Sequence, residues 1–158
     1  MEQMKLDLFP KVGISATNYP HKITNPMFFE LGKAIFTISN PNNEHFTYKI
    51  KMKKLEKDSF WFIYLLTGPD NTSSYTYLGC YVPSIHGIRL TAKSKLPIDS
   101  KPVKVLTWAI KKVVNQEAIP EGYKIQHEGK CGRCGRLLTT PESITRGIGP
   151  ECFSKIGK

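Results

Sequence analysis

Residues 45–55, HFTYKIKMKKL, alternate with a period of two, and this stretch constrains the fold more than any other in the chain. Phe46, Tyr48, Ile50 and Met52 fall on one side, with His45, Thr47, Lys49, Lys51 and Lys53 on the other. A strand with one greasy face and one basic face needs neighbours on both edges and a cover on one face. KAIFTISN before it, past a turn at PNNE, supplies one neighbour. SFWFIYLLTG after it is apolar at almost every position and reads as a central strand covered on both faces. SSYTYLGCYVPS follows, stopped by Pro83, and GIRLTAKS adds a last strand after the Ile85-His86-Gly87 turn. Together these predict an antiparallel meander of about four or five strands.

The cover comes next in the sequence. Ser100 stands before Lys101-Pro102 as an N-cap ahead of a first-turn proline, and Val103, Leu106, Ala109, Ile110, Val113 and Val114 recur at helical spacing. Lys104, Lys111 and Lys112 occupy the other face, and the helix stops before Ile119-Pro120-Glu121-Gly122. The fold class is therefore α+β, an antiparallel sheet with one amphipathic helix, plus a small C-terminal zinc-knuckle module. Residues 1–30 read as an extended arm with a brief strand near Leu6 and Leu8, 31–120 as the core domain and 121–158 as the zinc-binding module.

The C-terminal module is defined by His127-Glu-Gly-Lys-Cys131-Gly-Arg-Cys134-Gly-Arg136. A C-x2-C pair flanked by glycines can wrap a tight turn around a metal with its backbone N–H groups aimed at the sulfurs. Cys152 adds a third thiol after a spacer of 17 residues. It lies near the start of a short terminal helix, whose positive end would favour the thiolate. His127 is the favoured fourth ligand and Cys80, inside a predicted strand, the alternative. Four cysteines in a chain without a secretory start point to metal rather than disulfides, and no thioredoxin-like setting surrounds the C-x2-C pair. Four ligands in one short module make a closed, structural zinc site rather than a catalytic one.

HEGKCGRCGRLLTTPESITRGIGPEC resembles the signature of an uncharacterised zinc-binding domain family that recurs in phage, plasmid and other bacterial proteins. The resemblance covers roughly the last thirty residues and implies His127, Cys131, Cys134 and Cys152 as ligands, without implying an activity. It associates the chain with mobile elements, and hence with a host cytoplasm.

Function is bounded by charge. Twenty-three Lys and Arg against thirteen Asp and Glu give a net charge of +10, which favours phosphate-bearing or acidic partners. Three of the four arginines, Arg133, Arg136 and Arg146, fall in the zinc module with Lys130, where they can clamp phosphates or pair with local carboxylates. Lys49, Lys51, Lys53 and Lys54 form a second basic surface, which tracks a nucleic-acid backbone or else guards an edge strand. Tyr75, Tyr77 and Tyr81 would share one strand face and offer rings for base stacking or for the core.

No Gly-rich phosphate loop follows a strand, no Ser or Cys nucleophile motif appears, and His127-Glu128-Gly129 lacks zinc-deaminase spacing, so no enzymatic activity or small-molecule substrate is expected. MEQMKLDLFPKVG does not fit a secretory signal and no apolar run reaches the ~20 residues of a bilayer span, so a cytoplasmic protein with no membrane partner is expected. The leading expectation is a non-enzymatic zinc-binding protein that binds nucleic acid, the alternative a mobile-element protein that inhibits a host or defence protein.

Overall fold

A computed structural model of the chain describes residues 21–69, 74–138 and 141–155. The short strand expected near Leu6 and Leu8 lies outside the described residues. The alternation at 45–55 does what it dictates: His45–Leu55 is strand β3, paired antiparallel with β2 (Lys33–Ser39) and with β4 (Asp58–Leu66). Strands β5 (Tyr75–Val82) and β6 (Gly87–Arg89) continue the meander.

Helix α1 (Lys101–Val114) then crosses the sheet, touching β2 and β6, and buries Val103, Val105, Leu106, Ala109, Ile110 and Val113. Beyond it, β7 (Lys124–His127) returns to pair with the free edge of β2, and β1 (His21–Lys22) pairs with β7. The order is β1-β7-β2-β3-β4-β5-β6, all antiparallel. The sheet is thus wider than expected, because strands of two and four residues carry too little alternation to be read.

The core lies between the sheet and α1. Phe36, Ile38, Tyr48, Ile50, Ile63, Leu78, Leu106 and Ile110 are all fully buried, each large apolar side chain contributing about 1.5–3 kcal/mol relative to exposure. The Tyr48 hydroxyl donates to the Pro102 carbonyl at 2.6 Å, fastening the first turn of α1 to β3. A 3-10 helix, Pro26–Glu30, capped by the Asn25 side chain accepting from Met27 N, adds Phe28 and Phe29 to this core. Those residues fall in the stretch that reads as an extended arm, since Asn25-Pro26 supplies a cap and first turn too short to show helical periodicity.

Two expectations change at β4 and β5. Among the described residues only one face of β4 is covered: Ile63 and Leu65 are buried, whereas Phe60, Phe62 and Tyr64 on the opposite face remain half-exposed. A β-bulge between Ile63 and Tyr64 shifts the register against β5. Before the bulge Trp61 pairs with Tyr81, and after it Tyr64 pairs with Tyr77. The extra residue breaks the strict alternation, so Tyr81 turns into the core while Tyr75 and Tyr77 stand half-exposed on the other face. Gly79 sits at this irregularity, where a Cβ would come within 2.9 Å of the Arg89 carbonyl oxygen. No helix among the described residues is long and apolar enough to cross a membrane.

Candidate metal centre

Immediately after β7 the chain makes a small knuckle. Gly129, at φ +85°, turns it, Leu138 N donates to Gly129 O at 2.8 Å, and Cys131 N donates to Arg136 O at 2.7 Å. Inside this loop the backbone N–H groups of Arg133 and Cys134 point at Cys131 Sγ at 3.3 and 3.4 Å. Helix α2 (Pro141–Arg146) ends at Gly147, at φ +74°, and helix α3 (Pro150–Lys155) returns Cys152 to the knuckle.

The result is a cluster in which the Sγ atoms of Cys131, Cys134 and Cys152 all lie within 4.8 Å of one another, with no disulfide among them. Thiolates about 2.3 Å from a tetrahedral zinc stand about 3.8 Å apart, so the cluster fits the ion with a small contraction. A cavity of about 310 Å³ opens beside it, lined by all three cysteines together with Arg133, Arg136 and Glu151.

The electrostatics are divided. Burial pushes the Cys131 thiol up, but N–H donors from Gly149, Cys134 and Arg133 and the Cys134 thiol outweigh it and hold the group down to about 7. Cys152 moves the other way: burial raises it, Arg133 Nη1 at 3.5 Å opposes, and Cys134 and Cys131 raise it further. Burial is thus the main cause of the upward shift, with the two neighbouring sulfurs adding to it, and the thiol is not lowered by its place in the first turn of α3. A cation placed among the three would relieve this crowding, because coordinated thiols are deprotonated.

His127 is not part of the cluster. Its Nδ1 accepts from Gly129 N at 2.9 Å, its Nε2 lies 2.8 Å from the Ile144 carbonyl oxygen, and its ring packs on Phe28 with centroids 5.4 Å apart. It braces the end of β7 against α2. Cys80 lies in β5 opposite Phe62, with Tyr77 Oη at 3.6 Å, and is also outside the cluster.

Lys130 and the three arginines of this unit are engaged locally. Arg133 leans on Cys152, Arg136 reaches Glu151 at 3.3 Å, Lys130 lies 3.8 Å from Glu128, and the Arg146 guanidinium sits 4.1 Å over the Phe153 ring. The sheet lysines are arranged otherwise. Lys49, Lys51 and Lys53 share one face by alternation, Lys54 falls on the opposite one, and Lys33 of β2 stands directly across from Lys51. Among the described residues no carboxylate pairs with Lys33, Lys51 or Lys53. Phe60, Phe62 and Tyr64 on this same face carry no motif, but the register makes them the cross-strand partners of Lys53, Lys51 and Lys49.

Residues 125–157 match the model of a family of unknown function, DUF6011. That stretch begins inside β7 and runs past the last cysteine, so the matched unit includes a strand of the sheet as well as the knuckle. No curated protein and no solved structure matches the chain.

Proposed function

We propose that this is a small, non-enzymatic nucleic-acid-binding protein whose C-terminal unit is held by a structural zinc ion on Cys131, Cys134 and Cys152, its fourth position taken by a group outside this cluster. The observation that carries the reading is the pairing of Lys33 with Lys51 across β2 and β3, with Lys49 and Lys53 on the same face. Like charges directly opposite one another weaken a sheet, and no acidic side chain among the described residues offsets this one. Edge protection does not account for Lys49 and Lys51, because β3 has β2 on one side and β4 on the other at those positions. An anionic partner does account for them, and with a net charge of +10 nucleic acid is the favoured one.

Zinc supports this role indirectly. Its ligands would tie α3 to the knuckle, and its binding free energy would become folding free energy of the unit they join. No reaction is assigned to the ion.

The test is fluorescence anisotropy of the zinc-loaded chain with labelled DNA and RNA across a salt series. Affinity that falls steeply with salt in the wild type, and that is lower and less salt-dependent in Lys51→Ala, is the expected result, since each neutralised phosphate releases counterions. Affinity that does not change with salt, or no binding at physiological ionic strength, would remove nucleic acid as the partner.

A further inference from the structure

The outer face of β3, β4 and β5 carries rings as well as charges. Phe60 and Phe62 stack at 6.3 Å between centroids, Phe62 meets Tyr77 edge-on at 6.1 Å, and Tyr77 meets Tyr64 at 5.8 Å. The Lys49 ammonium bridges the row at one end, 4.2 Å from the Tyr75 centroid and 5.6 Å from that of Tyr64. Beside Phe62, Tyr64 and Tyr77 lies a shallow, open cavity of about 650 Å³ whose lining also includes Lys93 and Lys95. All five rings are half-exposed, on the sheet face opposite α1.

We infer that this face is a platform for single-stranded nucleic acid, with unpaired bases stacking on Phe62, Tyr64 and Tyr77 and phosphates running along Lys49, Lys51 and Lys53. The inference rests on the reading above that nucleic acid is the partner, and it names which form and where. Three features point to single strands. Ring faces can stack only on bases whose own faces are free, and in a duplex those faces are covered. A sheet face is too broad for the major groove, which admits a helix or a two-stranded ribbon. The cross-strand register places each lysine beside a ring, Lys51 by Phe62 and Lys49 by Tyr64, so phosphate and base of one nucleotide meet complementary groups side by side. The stacking would be tolerant of sequence, because every base offers a π-face.

The experiment uses the full zinc-loaded chain with a labelled oligo-dT 20-mer, an oligo-rU 20-mer and a 20-base-pair duplex at physiological salt. Wild type should prefer the single strands. Phe62→Leu and Tyr77→Leu should each weaken single-strand binding about five- to one-hundred-fold while leaving duplex binding unchanged, and Phe62→Trp should retain it. Circular dichroism of each variant guards against misfolding, and Lys51→Ala, which removes no ring, should instead flatten the salt slope. Equal affinity for duplex and single strands, untouched by Phe62→Leu, would overturn the platform and leave general nucleic-acid binding standing. Loss of all nucleic-acid binding at physiological salt, or competition by polyglutamate as strong as by oligo-dT, would overturn both.

Discussion

Phe28 of the 3-10 helix and Gly147 at the end of α2 approach so closely that a Cβ on Gly147 would lie 2.7 Å from Phe28 Cδ1. The same ring closes over Gly132 of the knuckle, where a Cβ would lie 2.9 Å from Phe28 Cε1. A core side chain from before β2 is thereby the plug on which the cysteine-bearing unit is seated, and two glycines are the socket.

Gly147→Ala should therefore cost about 2–4 kcal/mol, combining the left-handed backbone at φ +74° with overpacking against the ring. Urea denaturation measures it. Phe28→Leu should cost less alone and should partly rescue Gly147→Ala, so that the double variant loses less than the sum of the two. Strict additivity would mean that the two residues do not meet in the folded protein.

Metal retention should depend on pH in a direction fixed by the thiols. Zinc binds thiolates, so protons compete with it, and affinity should fall as pH is lowered from 8 to 6 through the Cys131 value of about 7. Cys152, which burial and its sulfur neighbours raise, requires displacement of its proton over the whole range and steepens the dependence. Equilibrium dialysis against a chelator at three pH values reads this directly. Limited proteolysis in parallel should show chelation opening sites within residues 129–155 while β2 to β5 stay resistant. A zinc content independent of pH, or unaltered cleavage after chelation, would count against a thiolate site that holds the unit folded.

The main lines of this fold were legible because they repeat locally. Alternation at Phe46, Tyr48 and Ile50 announces β3, the recurrence of Val103, Leu106, Ile110 and Val113 announces α1, and the spacing of Cys131 and Cys134 announces the knuckle. What escaped depends on partners far along the chain. Strand β7 is only KIQH, and nothing in four residues says that Ile125 pairs with Ile38. The bulge that parts Tyr81 from Tyr77 is a property of two strands in register, and Phe28 is one aromatic in a proline-punctuated stretch until Gly132 and Gly147 come to meet it. His127 lies at a spacing that suits a ligand, yet spacing does not reveal that Gly129 N and the Ile144 carbonyl flank its ring nitrogens.

His127→Gln provides the corresponding test. The histidine is 1% exposed and braces β7 against α2, so the substitution should lower stability by about 1–3 kcal/mol through lost buried hydrogen bonds. Zinc stoichiometry by mass spectrometry should remain one per chain in His127→Gln and in Cys80→Ser, and should collapse in Cys131→Ser. A zinc-free His127→Gln protein would show instead that the imidazole swings into the cysteine cluster when the ion binds.

Alkaline stability should turn on Tyr48. Its hydroxyl is buried against the Pro102 carbonyl, and burial raises its pKa well above that of an ordinary phenol. Tyr81 is raised as well, by burial first and by the nearby Glu30 carboxylate second. A folded-state value above the unfolded value of about 10 means the contribution is fully present below pH 10 and is lost as pH rises toward the folded value. Unfolding free energy should therefore decline above about pH 10, approaching ~1.4 kcal/mol per pH unit for each such group. Ultraviolet titration should show both phenols ionising only as the chain unfolds. Tyr48→Phe should cost about 1 kcal/mol at neutral pH, where a hydrogen bond to the first turn of α1 is lost, and should shed one group's share of the alkaline slope. If the variant declined in alkali as steeply as the wild type, Tyr48 would have to be ionising in the folded protein, and its seat beneath α1 would be more open to water than its burial shows.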